Sequence, residues 1–413
     1  MIRSMSSALS GLRNHQLMLD VVGNDIANVS TVGFKSSSTV FSDVLTQTLR
    51  GAGAPGAETA GTNPAQVGLG SRLAGTVQSF TQGAIQRTGR TEDLAIQGDG
   101  FFIVDNNGQD MYTRAGNFSL DANGNLATMD GSLVQGWRAD AFGAVDTNGP
   151  IGSVQISVGA LVPPNQSNEV TMGGNLPADA VVGTIQTLSV TVYDEQGTAV
   201  QLNLTFEKTA ANAWTTTATA GEPPVAVALT DNLLTFDGLG ELTAPADRNI
   251  NIAGGVIPGM TNAISIELGA AGQPGRFTQY AGSPSAAITN QNGSPTGSLQ
   301  SFAVAQDGTI VGNYSNGQTR SIGQVAMAVF ANPGGLERVA GSWRATPNSG
   351  LAQVGPAGGG GRGLLSSGTL ENSNVDLAEE FTRLIVAQRG FQGNARVITT
   401  ADEILQEVVN LSR

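Results

Sequence analysis

The sequence predicts a mainly β protein carrying terminal α-helical coiled-coil segments that pair, and three observations carry that reading. Apolar residues recur at heptad spacing near both ends of the chain. The interior is rich in glycine and in short alternating runs separated by turn dipeptides. Proline- and glycine-containing breaks near 150 and 285 then divide that interior, so two β-rich domains are expected in a nested order: helix, β domain, inserted β domain, β domain again, helix.

The N-terminal helix is read from Ile2, Met5, Leu9, Leu12, Leu19 and Ile26, with Gln16 and Gly23 filling two inward positions. Residues 31–70, rich in Ser, Thr, Gly and Ala and interrupted by Pro55 and Pro64, read as an extended connector. From 101 to 137 the runs FFIV, MYTR, FSLD, LATM and LVQGW are separated by Asn107-Gly108, Asn123-Gly124 and Asp130-Gly131, the signature of consecutive hairpins. The inserted segment, 149–285, contains TLSVTVYD and VQLNLTFEK around Gln196-Gly197, a hairpin with one buried face. The β pattern resumes after it and ends at the glycine loop Gly358 to Gly361. The shared β domain is therefore expected to combine 71–148 with 286–371.

The C-terminal heptad is the stronger one. Leu377, Leu384, Phe391, Ile398 and Leu405 stand seven apart, with Phe381, Gln388, Ala395, Asp402 and Val409 as a companion row. One helix over this span would run roughly 50 Å. Asn374 or Asp376 is placed to cap it, and Glu379 and Glu380 suit the positive end of its dipole. Both stripes follow a 3.5-residue period and carry polar residues at inward positions. An isolated pair of such helices would be marginal, so residues 1–30 and 372–413 are expected to order on assembly with further copies.

Composition narrows the function. The 413 residues exceed what one core usually serves. Charged residues are 13%, about half the ~25% of ordinary soluble domains. The net charge is −13 and the only lysines are Lys35 and Lys208, so there is no basic patch for nucleic acid. No run approaches the ~18 apolar residues of a membrane span, and the first twenty residues lack the continuous apolar core of a Sec-type signal. The absence of cysteine excludes disulfides, thiol catalysis and Cys-ligated metals.

No catalytic, cofactor or metal site is expected. His15 is the only histidine, so a histidine triad or multi-His metal centre cannot be built. Asp121-Ala-Asn123-Gly-Asn125 and Asp105-Asn-Asn107-Gly108 resemble calcium loops but lack the downstream glutamate, and read as hairpin turns. Gly68-Leu-Gly70 and the 358–361 run lack the strand and helix of a dinucleotide fingerprint. Glu379-Glu380 and Asp402-Glu403 are adjacent on a helix, point about 100° apart, and read as solvated.

The segment Asn24-Asp-Ile-Ala-Asn28-Val-Ser-Thr-Val-Gly33-Phe34-Lys35 resembles the N-terminal signature of the flagellar rod and hook family of axial proteins. Its C-terminal partner is matched by Val375-Asp-Leu, Val386-Ala-Gln388-Arg389, Phe391-Gln392 and Thr400-Ala-Asp402-Glu403-Ile-Leu405. Leu94-Ala-Ile-Gln-Gly98-Asp-Gly100-Phe-Phe-Ile-Val104 with Tyr112-Thr-Arg114-Ala-Gly116-Asn-Phe118 is similar to the family's shared β domain. The likeness covers about the first 145 and last 125 residues. Asp25 and Ser30 stand where the family often has asparagine, at what reads as a surface turn near a helix end.

The resemblance implies a structural subunit, not an enzyme. The chain length and the 149–285 insertion point to the hook-forming branch, whose tube bends as a universal joint between rod and filament. It further implies export through the flagellum's own channel by its export apparatus, to a location outside the cell. The implied partners are further copies of the chain and the rod, hook-cap and hook–filament junction proteins. The alternatives are a distal rod subunit of the same family and a secreted β-rich adhesin.

Overall fold

The computed structural model describes residues 2–55, 60–140, 143–157, 159–270 and 272–411; the side chains of Ile2, Arg3 and Leu411 lie outside the described set. A helix at each end, α1 (Ile2–Ala27) and α2 (Leu377–Leu411), brackets an interior of strands. The chain forms two compact units: Met1–Ser157 with Phe302–Val311 and Ser321–Arg413, and Val158–Ser301 with Gly312–Arg320.

In the first unit α1 leads into a two-stranded antiparallel arm, where a connector was expected. Strand β1 (Ser37–Asp43) pairs with β4 (Ser71–Gln78), and further out β2 (Thr46–Arg50) pairs with β3 (Ala65–Gly68). Every residue of β2 is exposed. A ribbon wet on both faces needs no alternation of apolar and polar residues, so its sequence hides the strands. The base of the arm lies along α1, where Asn14 Nδ2 donates to Ser71 Oγ at 2.8 Å.

The predicted hairpins follow. Phe101–Asn106 pairs with Gln109–Thr113, and Leu133–Arg138 pairs with both Phe101–Asn106 and Thr319–Val325. The core beneath is aromatic: Phe101, Tyr112, Trp137, Phe330 and Trp343 are buried together, with Tyr112 and Phe330 edge-to-face at 4.7 Å. Asp121 Oδ1 accepts the amide N–H groups of Asn123 and Asn125 at 2.8 and 2.7 Å, the Asx geometry of a tight turn.

The second unit is a pair of sheets around one core. Ile185–Tyr193, Ala199–Ala210, Ala213–Ala220 and Leu233–Phe236 form one sheet in that order; Asn249–Ile252, Ile264–Glu267 and Glu169–Asn175 are consecutive in the other. Alternate residues Leu202, Leu204, Phe206 and Trp214 of the first meet Val170, Met172, Ile250 and Ile266 of the second, all fully buried.

The boundaries lie later than the Pro and Gly breaks suggested. Residues 149–157 complete the first unit: Trp137 Nε1 donates to Gly149 O at 3.0 Å, and Gly152–Ser153 pairs with Leu133–Arg138. Residues 286–301 complete the second, because Ala287–Gln291 is an antiparallel neighbour of Glu169–Asn175.

Candidate assembly interface

Helices α1 and α2 lie antiparallel. The register is set by close approach at small residues: a Cβ on Gly11 would stand 2.7 Å from the Asn394 amide, and one on Gly390 would run into the His15 ring. Ala8 and Val22 on α1, and Ala387 and Ala401 on α2, are buried along the same seam. One row of each predicted stripe stands one residue from the seam; the other, Leu12–Leu19–Ile26 and Leu384–Phe391–Ile398–Leu405, is half-buried alongside it. The seam rows are Ala8–His15–Val22 and Glu380–Ala387–Asn394–Ala401; Leu9–Gln16–Gly23 and Phe381–Gln388–Ala395–Asp402 lie next to them. The helices come together on small side chains, so the large ones nearby are turned to the flanks.

What the pair leaves outside is extensive. Met5 and Leu9 on α1 are exposed, and so on α2 are Leu377, Phe381, Ile385, Val386, Val397, Ile404, Val408 and Val409. Leu12, Leu19, Ile26, Leu384, Phe391, Ile398 and Leu405 are half-buried. Among the described side chains of this 35-residue helix three are buried, Glu380, Ala387 and Ala401, and much of its apolar surface stays exposed.

Where the helices meet the β domain, the motif residues form a charged lock. Lys35 Nζ donates to Glu371 Oε1 at 2.6 Å and to Thr81 O at 2.7 Å, with both charged side chains fully buried. Arg114 Nη1 donates to the other carboxylate oxygen at 3.3 Å, and Nη2 to Gly98 O at 2.9 Å. Gly33 precedes the lock at φ 68°, a left-handed conformation, and a Cβ there would stand 2.6 Å from the Arg114 backbone. Phe34 is buried beneath the Arg338 guanidinium, 4.3 Å from its ring centroid. Asn24 and Asn28 finish α1: Asn28 Nδ2 donates to Asn24 O at 2.8 Å.

At the start of α2, Asp376 is the cap, its Oδ1 accepting from Ala378 N at 2.8 Å. Asn374 instead ties the two chain ends together, accepting from Ser36 N at 2.8 Å and donating to Ser79 O at 2.9 Å. Gln388, Arg389 and Gln392 are exposed on α2. Two residues expected on the surface are buried: Asp25 is 0% exposed and Glu380 is 3%. Burial pushes both carboxyls above their usual range, and neither burial had a signal in the linear sequence.

Among the described residues no group of three or more His, Cys, Asp or Glu side chains is placed to hold a metal ion, and no helix is long and apolar enough to cross a membrane. A cavity of about 350 Å³ beside Phe80, Phe101, Phe330 and Arg114 brings together no nucleophile and base.

Four stretches match described families. Residues 5–35 match "Flagella basal body rod protein" and 366–411 match "Flagellar basal body rod FlgEFG protein C-terminal". Residues 95–217 match "Flagellar hook protein FlgE/F/G D1 domain" and 174–294 match "Flagellar basal body protein FlaE D2 domain". The chain is 37% identical to flagellar hook protein FlgE of Borreliella burgdorferi, with all of both chains covered. It is 38% identical to FlgE of Escherichia coli, covering 99% of this chain and all of that one. The flagellar basal-body rod protein FlgG of Bacillus subtilis is 32% identical over the whole of both chains. The crystal structure of Helicobacter pylori flagellar hook protein FlgE2 shares the fold at a TM-score of 0.53 and 12% identity, covering 70% of this chain and all of that one. Identity of this order from end to end, with both terminal helices and both β units inside the matched stretches, places the chain in the flagellar hook protein FlgE family.

Proposed function

We propose that the chain is the structural subunit of the flagellar hook and polymerises through α1 and α2 into a curved tube that transmits torque as a universal joint. The observation that carries this is the apolar surface of the paired helices. Met5, Leu9, Phe381, Ile385, Val397 and Ile404 remain in water in the single chain. Each is about half exposed, so covering it is worth about 1 kcal/mol, and stacking copies stabilises the pair as well as the polymer. The partly covered row Leu12, Leu19, Ile26, Leu384, Phe391, Ile398 and Leu405 would be closed by the same neighbours.

In this reading the paired ends, 1–30 and 372–413, form the inner tube. The β-rich domains, 71–148 with 286–371 and 149–285, make the softer lateral contacts. Firm helical contacts inside, with wet and weakly charged contacts outside, let each row of subunits lengthen and shorten as the tube turns. Gln388, Arg389 and Gln392, exposed on α2, would make polar contacts between copies. The partners are rod proteins at the base, hook-cap and hook–filament junction proteins at the far end, and the flagellar export apparatus, which delivers the chain outside the cell. The role is structural and needs neither cofactor nor catalysis.

The test removes residues 1–30 and 372–413 and compares the fragment with the full chain by sedimentation and negative-stain microscopy. A folded monomeric fragment beside curved full-length tubes is expected. If both stay monomeric under assembly conditions, the helices are ordinary packing and the hook reading fails. The match to FlgG supports a second reading, a rod subunit, and straight tubes would select it.

A further inference from the structure

We infer that Asp25 and Glu380 share one proton across the α1–α2 seam, one carboxyl donating to the other, and that the helices dock firmly only while this proton is held. The contacts of Gly11 with Asn394 and of His15 with Gly390 define the antiparallel register. Extended ten residues further along α1 and ten earlier along α2, that register puts Asp25 and Glu380 at the same level of the pair, and the Asp25 charge acts on Glu380. Asp25 Oδ2 accepts from Ser37 N at 2.9 Å, and Glu380 Oε1 accepts from Arg383 Nη1 at 3.0 Å. The remaining oxygens, Asp25 Oδ1 and Glu380 Oε2, are both buried without a hydrogen-bond partner. Two unsatisfied acceptors in a dry seam are costly, and neighbouring carboxylates resist being ionised together. A single proton turns one orphan into a donor and satisfies both.

The surrounding charges do not remove the need for it. Asp25 feels Arg338 and Arg383; Glu380 feels Arg383 against Asp25, Glu379 and Asp376. Burial is the largest influence on each carboxyl, and it raises both. The sign follows. A carboxyl whose folded pKa is raised lends stability that is complete below the ordinary carboxylate pKa of about 4 and is lost as pH rises through the folded value. The helix pair therefore loosens as the medium becomes alkaline.

The experiment follows the dissociation temperature of full-length tubes by light scattering from about pH 5 to about pH 9, above the ordinary carboxylate range. The midpoint should fall as pH rises. Asp25→Asn, whose amide donates to Glu380 without a proton, should flatten the profile, and Glu380→Gln should do the same from the other side. A slope that survives in both variants does not come from the carboxyl pair and overturns the proposal. So does a flat profile in the unmodified chain. Infrared spectra of the unmodified chain near neutral pH should show a protonated-carboxyl band that Asp25→Asn removes, and absence of that band also overturns it. The infrared measurement needs no polymer, so a chain that forms no tubes counts against the hook reading and still reports on the proton.

Discussion

Glu371 shows how one side chain holds distant parts of the sequence together. Its carboxylate accepts from Lys35 Nζ, Gly83 N and Arg114 Nη1, and its backbone carbonyl accepts from Gly33 N. Two buried cations depend on it, and removing one partner of a buried ion pair typically costs about 3–5 kcal/mol. Glu371→Gln should destabilise the first unit by that order, read as a lower denaturation midpoint. Glu337→Gln, which breaks the exposed pair with Arg344, should change little. If the two variants are equally stable, the lock contributes nothing. Lys35 was legible in the sequence as the end of a motif. Glu371 was not, because 336 positions separate the partners and only the folded register joins them. Asp25 and Glu380 were misread for a related reason: a polar residue near a helix end is normally wet, and only the close approach of two helices makes these dry.

At the level of single elements, the ends were readable as helices, with one apolar row of each beside the seam and the companion row one position off it. The apolar period marks large side chains, whereas the observed seam is built from Ala8, Gly11, Ala387, Gly390 and Ala401. Small residues carry little hydrophobic signal, yet they decide how near two helix axes come. The displaced apolar row therefore points to a neighbour. Val397→Ser and Ile404→Ser should leave the two β units as stable as before while raising the critical concentration for tube formation roughly three- to tenfold each, from about 0.7–1.5 kcal/mol of lost burial. Gly390→Val should act differently, separating α1 from α2 through the His15 ring and abolishing assembly at any concentration. Polymerisation of Val397→Ser at the unmodified concentration would show that α2 contacts no neighbour there. The arm β1–β4 was illegible for the opposite reason from the seam: it buries almost nothing, and an element without a buried face leaves no pattern to read.

Across the whole molecule, the nesting was legible from the turn chemistry, and the limits of the units were not. Pro and Gly breaks report where a chain turns, whereas Gly149 and Ala287–Gln291 belong to their units through a tryptophan hydrogen bond and a strand pairing that no local signal encodes. The corrected limits give a sharper experiment than the breaks would. Replacing 158–301 and 312–320 with short turns removes the second unit with its whole core, Leu202, Phe206 and Trp214 included, and shortens the strands Gly297–Val304, Thr309–Tyr314 and Thr319–Val325. The first unit keeps its aromatic core, the pairing of Gln324 with Trp137 and both helices, so it should fold with its own denaturation midpoint. If helices drive polymerisation and the second unit supplies the adjustable outer contacts, the shortened chain should still form tubes, with altered curvature in micrographs. Ending the deletion at 285 should instead remove Glu169–Asn175, leave Ala287–Gln291 without its neighbour and produce aggregates. A shortened chain that folds but never assembles would mean that the second unit helps to hold the polymer together, and the division of labour between inner helices and outer β units would have to be abandoned.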